Sequence, residues 1–528
     1  MLINIIRNED KPIATQCAFV KRYLKTNQIS SHINNYTYWK TRGVLHEMPL
    51  PLLGNFKGVG RKYSIRDVSE RVYKKFKNFA PLAGIYAFVT PALLIFDLDL
   101  VKCILIKDFS SFHDRPIFNN VKDDPLTGHL VTLEGEQWKA MRTKLSPVFT
   151  GARMKFMLPT IVKVGQQFTE ALADAFKDSS DQILEIKDFC ARFTTDVIGN
   201  CVFGVECNSC KDPQSEFRVM GRSIFNEPRH HPIVQAFITT NPKLARWLRM
   251  KIIPDKISAF ILNLIHQTID YRIKNKIKRN DFVQLLMELR NESEFEHKNV
   301  KLEKIDLSLG LTIEQMAAQA FVFFIAGFET SSTTMSFCLY ELAKHPDIQA
   351  KLRLEIETVL KQHNNELTYE ALNSMSYMEQ VVAGRFNLRI KTLRLYPVLP
   401  ILARKCRQSY QVPNTTLTIE KGTLIWLPVS AIHRDADLYE EPETFKPERF
   451  EHSEIEKRHP CAYLPFGDGP RNCIGMRFGK MQTKIGLISF LREYSVGPCD
   501  KTEIPVELDP KNFLISAKNG IYLKMSKV

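Results

Sequence analysis

Phe466-Gly467-Asp468-Gly469-Pro470-Arg471-Asn472-Cys473-Ile474-Gly475 places one cysteine, three glycines, a proline and an arginine within ten residues. A side chain sulfur is being presented on a turn too tight for bulky neighbours, and the glycines permit backbone conformations and close approaches that a Cβ forbids. Arg471 stands two residues before the sulfur, within reach of an anionic group. From Met476 to Leu491 apolar residues recur at helical spacing. A thiolate just ahead of a helix is stabilised by the free N–H groups and the dipole of that end. The alternative is a Gly-rich turn around a buried structural cysteine.

Every fixed position of Phe-Gly-x-Gly-x-Arg-x-Cys-x-Gly is filled, and the stretch resembles the haem-binding loop of the cytochrome P-450 family. The resemblance implies haem b with Cys473 as axial thiolate and with Phe466, Arg471 and Gly475 lining the cofactor. It also implies a mainly α fold with a small β-sheet lobe (α+β) and a long central helix over the haem. Trp138 and Arg142, an i, i+4 pair on one helical face, match the family's Trp-x-x-x-Arg, whose side chains reach a haem propionate. Arg404, in Leu-Ala-Arg-Lys, matches a further propionate arginine.

Leu311 to Tyr340 is apolar enough for a buried central helix, and Thr312 is a fair N-cap. Ala326-Gly327-Phe328-Glu329-Thr330 breaks that core with two small residues, an acid and a hydroxyl. On residues alone this is a helix-packing glycine with a Ser/Thr-rich continuation. By resemblance it lies over the haem, with Ala326 and Gly327 against the cofactor: Gly327 gives room for dioxygen, and Glu329 and Thr330 relay protons.

The chain has 528 residues, a net charge of +15 and 11 cysteines. No linker, repeat or low-complexity tract divides it, so one domain is expected over residues 38–528, after an atypical segment 1–37. The charge favours an acidic protein partner or an anionic membrane surface. Without a helix-turn-helix, zinc finger or aromatic-interleaved basic strip, nucleic acid is the weakest of the acidic candidates, and no nucleic-acid partner is expected. Lys139, Lys144, Arg477 and Lys480 form a candidate docking face. Cys207 and Cys210 make a C-x-x-C without a second pair, which reads as a loop rather than a zinc site. Charges interrupt residues 1–35, so no membrane span of about twenty apolar residues fits there. Tyr38-Trp39-Lys40 through the Pro-rich Pro49–Asn55 nevertheless resembles the hinge that follows the family's anchor, which points to a misassigned start. Phe79–Phe96 is uncharged but holds Pro81 and Pro91; it reads as two strands, Ile85–Val89 and Ala92–Phe96, around a Thr90-Pro91 turn. Leu100–Asp108 reads as a short helix. Phe217–Phe225 and Ile233–Ile253 would cap a substrate pocket, the second resting peripherally on a membrane.

One departure from the family stands out. Its Glu-x-x-Arg, a buried ion pair near the cysteine loop, is represented here by Lys391-Thr-Leu-Arg394, and Gly384–Lys391 occupies the place of a single glutamate. Arg449, in Phe445-Lys-Pro-Glu-Arg449-Phe450, supplies the third member of that network. Two cations sharing a buried site without their carboxylate would cost about 3–5 kcal/mol. The expectation is that Gly384–Lys391 is retained intron or a misjoined exon, with poor haem retention if it is translated.

The flavour closest to the sequence is the insect microsomal, xenobiotic-oxidising branch, carried by Arg471-Asn-Cys-Ile-Gly-Met-Arg-Phe-Gly-Lys-Met-Gln482 and by Phe217-Arg-Val-Met-Gly-Arg222. The implied reaction is monooxygenation: one atom of dioxygen enters a small apolar substrate. No nicotinamide- or flavin-binding stretch is present, so electrons come from NADPH through a separate NADPH–cytochrome P-450 reductase, with cytochrome b5 as a second donor. The implied location is the cytosolic face of the endoplasmic reticulum membrane. A haem-binding but catalytically impaired protein is the rival that Lys391 favours. A hydroperoxide-rearranging lyase is the rival that Glu329-Thr330 disfavours.

Overall fold

A computed structural model describes residues 36–294, 310–382, 392–446 and 456–528. Helices dominate, and a four-stranded sheet forms a side lobe. The sheet is built from β1 (Leu82–Ala87), β2 (Thr90–Ile95), β3 (Leu402–Lys405) and β4 (Leu424–Leu427), in the order β1-β2-β4-β3. β2 runs parallel to β4, with Ala92 opposite Leu424 and Leu94 opposite Trp426; the other pairs are antiparallel. Alternate residues feed two separate apolar clusters. Leu82, Tyr86, Leu93, Ile95, Ile425 and Leu427 pack with Trp39, Leu105 and Leu464 on one face, while Ala83, Ile85, Ala92, Leu94 and Trp426 pack with Phe56, Val72 and Phe76 on the other. Burial on both faces explains why Phe79–Phe96 carries no charge.

The turn between the first two strands falls at Phe88-Val89 rather than Thr90-Pro91, with Phe88 at φ 57°. Pro91 is tolerated inside β2 because it pairs with Tyr86 beyond the point, Ala92, where pairing to β4 begins. The short helix expected from Leu100 begins at Leu98 and loosens after Lys102 into a π-helical turn, Cys103–Lys107.

Five helices position the site: α1 (Gly135–Leu145), α2 (Gly151–Asp178), α3 (Ile186–Ile198), α4 (Ile313–Lys344) and α5 (Met476–Leu491). α4 starts where its N-cap predicts. Thr312 Oγ1 accepts the Gln315 amide, and the Gln315 side chain accepts the Thr312 amide, a reciprocal cap. Ala317, Ala320, Phe324, Met335, Cys338 and Leu342 bury it in the main core. Gln319 is buried on the same helix and ties it to the segment before α1, accepting the Leu130 amide and donating to the Gly128 carbonyl. α5 crosses α4 closely because Gly486 leaves no Cβ; one there would sit 2.4 Å from Met335 Cε and 2.6 Å from Phe193 Cε1. Cys207 and Cys210 are buried in a loop whose Ser209 and Cys210 amides donate to the Asp196 carboxylate. Among the described residues no cluster of His, Cys, Asp or Glu suits a metal ion, and no helix is long and apolar enough to cross a membrane.

Candidate functional site

The loop ahead of α5 is folded by its own backbone. Gly467 donates to the Leu464 carbonyl, Asn472 to Gly469, and Cys473 to Phe466 across 2.9 Å. Gly467 and Gly469 lie at φ 68° and 70°, in the left-handed region. Gly469 has a second reason to be glycine: an added Cβ would stand 1.9 Å from the Leu105 carbonyl oxygen, which the π-helical turn presents to it. Gly475 differs from the sequence expectation of backbone need. Its φ is −86°, and an added Cβ meets no protein atom within 4 Å. Nothing in the polypeptide itself requires glycine there.

Cys473 is accessible, although the surrounding protein mass is dense. Burial pushes its thiol up from the ordinary value, against the Gly475 amide and the charges of Arg115 and Arg142, which pull it down. The amide stabilisation read from the sequence is therefore present, through Gly475, but outweighed. Arg115 and Arg142 act on the sulfur directly, and Arg404 and Arg471 join Arg115 in a cluster of guanidinium groups. Arg142 on α1 donates to the Asn472 carbonyl (3.0 Å) and to Asn472 Oδ1 (2.8 Å). Arg115 donates to the Arg471 carbonyl at 3.0 Å. Arg471 is buried, bonds the carbonyls of Val131 and Leu133, and lies 4.3 Å above the Trp138 ring. Arg404 on β3 is buried and, among the described residues, donates only to its neighbour's carbonyl, Ala403. Among the described residues, the Nε atoms of Arg404 and Arg471 are buried without a hydrogen-bond partner. Burial and mutual repulsion push Arg115 down to about 10, Arg404 to about 9 and Arg471 to about 8. Asp114, 4.0 Å from Arg471, is the nearest balancing acid and is already shared with Arg407 at 2.7 Å.

Trp138, Arg142, Arg404, Phe466, Arg471 and Cys473 are thus brought together as the sequence anticipated. Arg115 was missed: in His113-Asp114-Arg115 it is indistinguishable by pattern from a solvated surface cluster. Lys480 departs from its expected place in an open basic face. It lies 5.9 Å from the centre of the Phe466 ring, and burial pushes its ammonium down to about 8. Lys139 remains exposed.

On α4, Ala326 and Thr330 share one face, and Thr330 Oγ1 donates to the Ala326 carbonyl at 2.6 Å. Gly327 faces α3 instead: an added Cβ would meet Ile198 Cδ1 at 2.2 Å, and its carbonyl accepts from Gln482. Gly327 therefore serves helix packing against α3, a role that the expectation of room for dioxygen did not include. Glu329 also points away from Thr330. Its carboxylate pairs with Lys187 on α3 at 2.9 Å, and that ammonium donates to Ser332 and Thr333 as well. The expected acid–alcohol pair is not formed in this conformation, because an adjacent position on a helix points about 100° away.

Arg394 is fully buried in the helix Thr392–Leu395 and donates to the carbonyl of His433 at 2.9 Å, with the Tyr439 ring 5.1 Å from its guanidinium. Thr392 Oγ1 donates to the Val381 carbonyl, so the chain on either side of residues 384–391, the expected insert, is drawn together. Glu379 pairs with Lys484 at 2.5 Å. The insert, Lys391 and Arg449 lie outside the described residues.

Known sequences resemble this chain over nearly its whole length. A sequence model of the family "Cytochrome P450" matches residues 45–525. "Probable cytochrome P450 6a14" of Drosophila melanogaster is 53% identical, over 94% of this chain and 97% of its own length. "Cytochrome P450 6a2" of the same fly is 46% identical, over 94% and 96%. "Cytochrome P450 6A1" of Musca domestica is 44% identical, over 94% of each. A match across nearly the whole chain, together with the loop and arginine cluster, establishes that this chain belongs to the cytochrome P450 family and is a haem monooxygenase.

Proposed function

We propose that Cys473 is the haem ligand and that this chain oxidises a small apolar substrate with electrons passed from NADPH by a separate reductase. The observation carrying the assignment is an accessible sulfur beside Arg115 and Arg142, which belong with Arg404 and Arg471 to a cluster whose charge the nearby acids do not balance. A group with two carboxylates fits that field and gives the Nε atoms of Arg404 and Arg471 acceptors. Haem b ligated by thiolate supplies dioxygen binding and O–O cleavage. The chain's residues do the rest. Arg115, Arg142, Arg404 and Arg471 would hold the propionates, Trp138 would brace Arg471, and Phe466 and Gly475 would line the ring. Thr330 donates its own proton to Ala326, so its Oγ1 lone pairs are left to accept from water on the Ala326 face. Glu329 would supply protons from the neighbouring face once it lets go of Lys187. The exposed Lys139 and the basic net charge support docking of an acidic electron donor. The relatives' family supports the endoplasmic reticulum, and the exposed Trp247 supports peripheral contact with its membrane.

The test is the ferrous carbon-monoxide difference spectrum of the chain as written and of a version with residues 384–391 replaced by one glutamate. A thiolate-type Soret band from both means the insert is tolerated. A band from the repaired version alone means that the carboxylate is needed, favouring the catalytically impaired reading for the chain as written. No band from either removes Cys473 as ligand.

A further inference from the structure

The loop that carries Cys473 is entered from Cys461–Pro465, and two side chains hold that entry. Tyr439 Oη donates to the Ala462 carbonyl at 3.0 Å. The backbone amide of Leu464 donates to His433 Nε2 at 2.8 Å. His433 is fully buried, and its ring stacks on Tyr463 with centroids 5.0 Å apart and planes 21° from parallel. Its carbonyl is in turn the acceptor of Arg394. A continuous path follows: Arg394 to the His433 carbonyl, His433 Nε2 to the Leu464 amide, the Leu464 carbonyl to the Gly467 amide, and the Phe466 carbonyl to the Cys473 amide. An amide donor needs a lone pair opposite it, so this ring accepts at Nε2 and carries its proton at Nδ1.

We propose that His433 is a positioning residue for the cysteine loop, its Nε2 lone pair transmitting the Arg394 anchor to the backbone that sets the Cys473 sulfur. Arg394 reaches the carbonyl of His433, and the ring bridges from that residue to the loop. The inference rests on Cys473 being the haem ligand. It adds that the thiolate's placement depends on an imidazole remote from the haem face, and that this hold uses none of the residues of the altered Glu-x-x-Arg segment except Arg394.

His433→Phe keeps a ring against Tyr463 but offers Leu464 no acceptor; His433→Gln restores an acceptor oxygen at the Nε2 position. In the carbon-monoxide spectrum, the parent and the Gln variant are expected to hold the thiolate-type band. The Phe variant, matched in haem content and far-ultraviolet circular dichroism, should convert to the blue-shifted band about tenfold faster, the scale of one unmade buried hydrogen bond. Conversion at the parent's rate would overturn the proposal. Should the Phe variant not fold, amide hydrogen exchange of the parent decides. Strong protection of Leu464 supports the bond, and exchange as fast as at an exposed loop amide overturns it. A parent without a thiolate band would instead remove Cys473 as ligand, and the exchange measurement would still settle the Leu464 bond itself.

Discussion

Gly469→Ala and Gly475→Ala separate what the polypeptide requires from what its cofactor requires. At Gly469 the methyl would lie 1.9 Å from the Leu105 oxygen and the backbone is at φ 70°. Real contacts at a Cβ begin near 3.0 Å, so the loop or the turn carrying Leu105 must retreat by about 1 Å, and neither atom is the end of a flexible side chain. The left-handed conformation alone costs an alanine about 1–2 kcal/mol, and displaced packing adds at least as much. We expect Gly469→Ala to lower apo-protein stability by about 3 kcal/mol in urea denaturation and to abolish the thiolate-type band. Gly475→Ala meets no protein atom within 4 Å and has an ordinary negative φ. It should leave the apo-protein denaturation curve unchanged within about 0.5 kcal/mol while reducing haem content, because only the cofactor would occupy that space. Two results would refute the reasoning: parental stability for Gly469→Ala, or full haem content in Gly475→Ala.

Arg404→Met should raise, or at least not lower, the urea midpoint of the apo-protein, since it replaces a buried and poorly bonded cation with an apolar chain; the same variant should lose haem faster to apomyoglobin. His129 is buried beside Phe321, and burial together with Arg115 pushes its imidazole down to about 3. Its folded-state value lies below the unfolded one, so the unfolded chain binds the extra proton between about pH 6.5 and 3. The stability it contributes is complete above pH 6.5 and is lost as pH falls, by at most about 1.4 kcal/mol per pH unit. His129→Gln should flatten that slope by about one proton in denaturation curves taken from pH 7 to 5; an unchanged slope would contradict the burial argument.

Much of the site was legible because its chemistry depends on fixed spacings. Gly467, Gly469 and Cys473 are set by one tight turn, Trp138 and Arg142 by helical periodicity, and Thr312 by the needs of a helix end. The helix Met476–Leu491 likewise follows from local apolar recurrence. What could not be read is what depends on a partner from elsewhere in the chain. The turn at Phe88-Val89 is placed by pairing across β1 and β2, which moved it two residues from the position Pro91 suggested.

Arg115 joins the arginine cluster only because the fold brings residue 115 beside residue 471, and no local pattern marks it. Glu329 and Gly327 carry the motif's letters, yet Lys187 and Ile198 on the neighbouring helix decide what each one does. The sequence by itself determined which residue types stand at which helical and turn positions, since those follow from backbone geometry within a few residues. Only tertiary structure decided which charges are balanced, which glycines the protein needs for itself and which histidine holds the cysteine loop. Those are properties of burial and of contacts between residues tens to hundreds of positions apart, and a linear chain does not contain them.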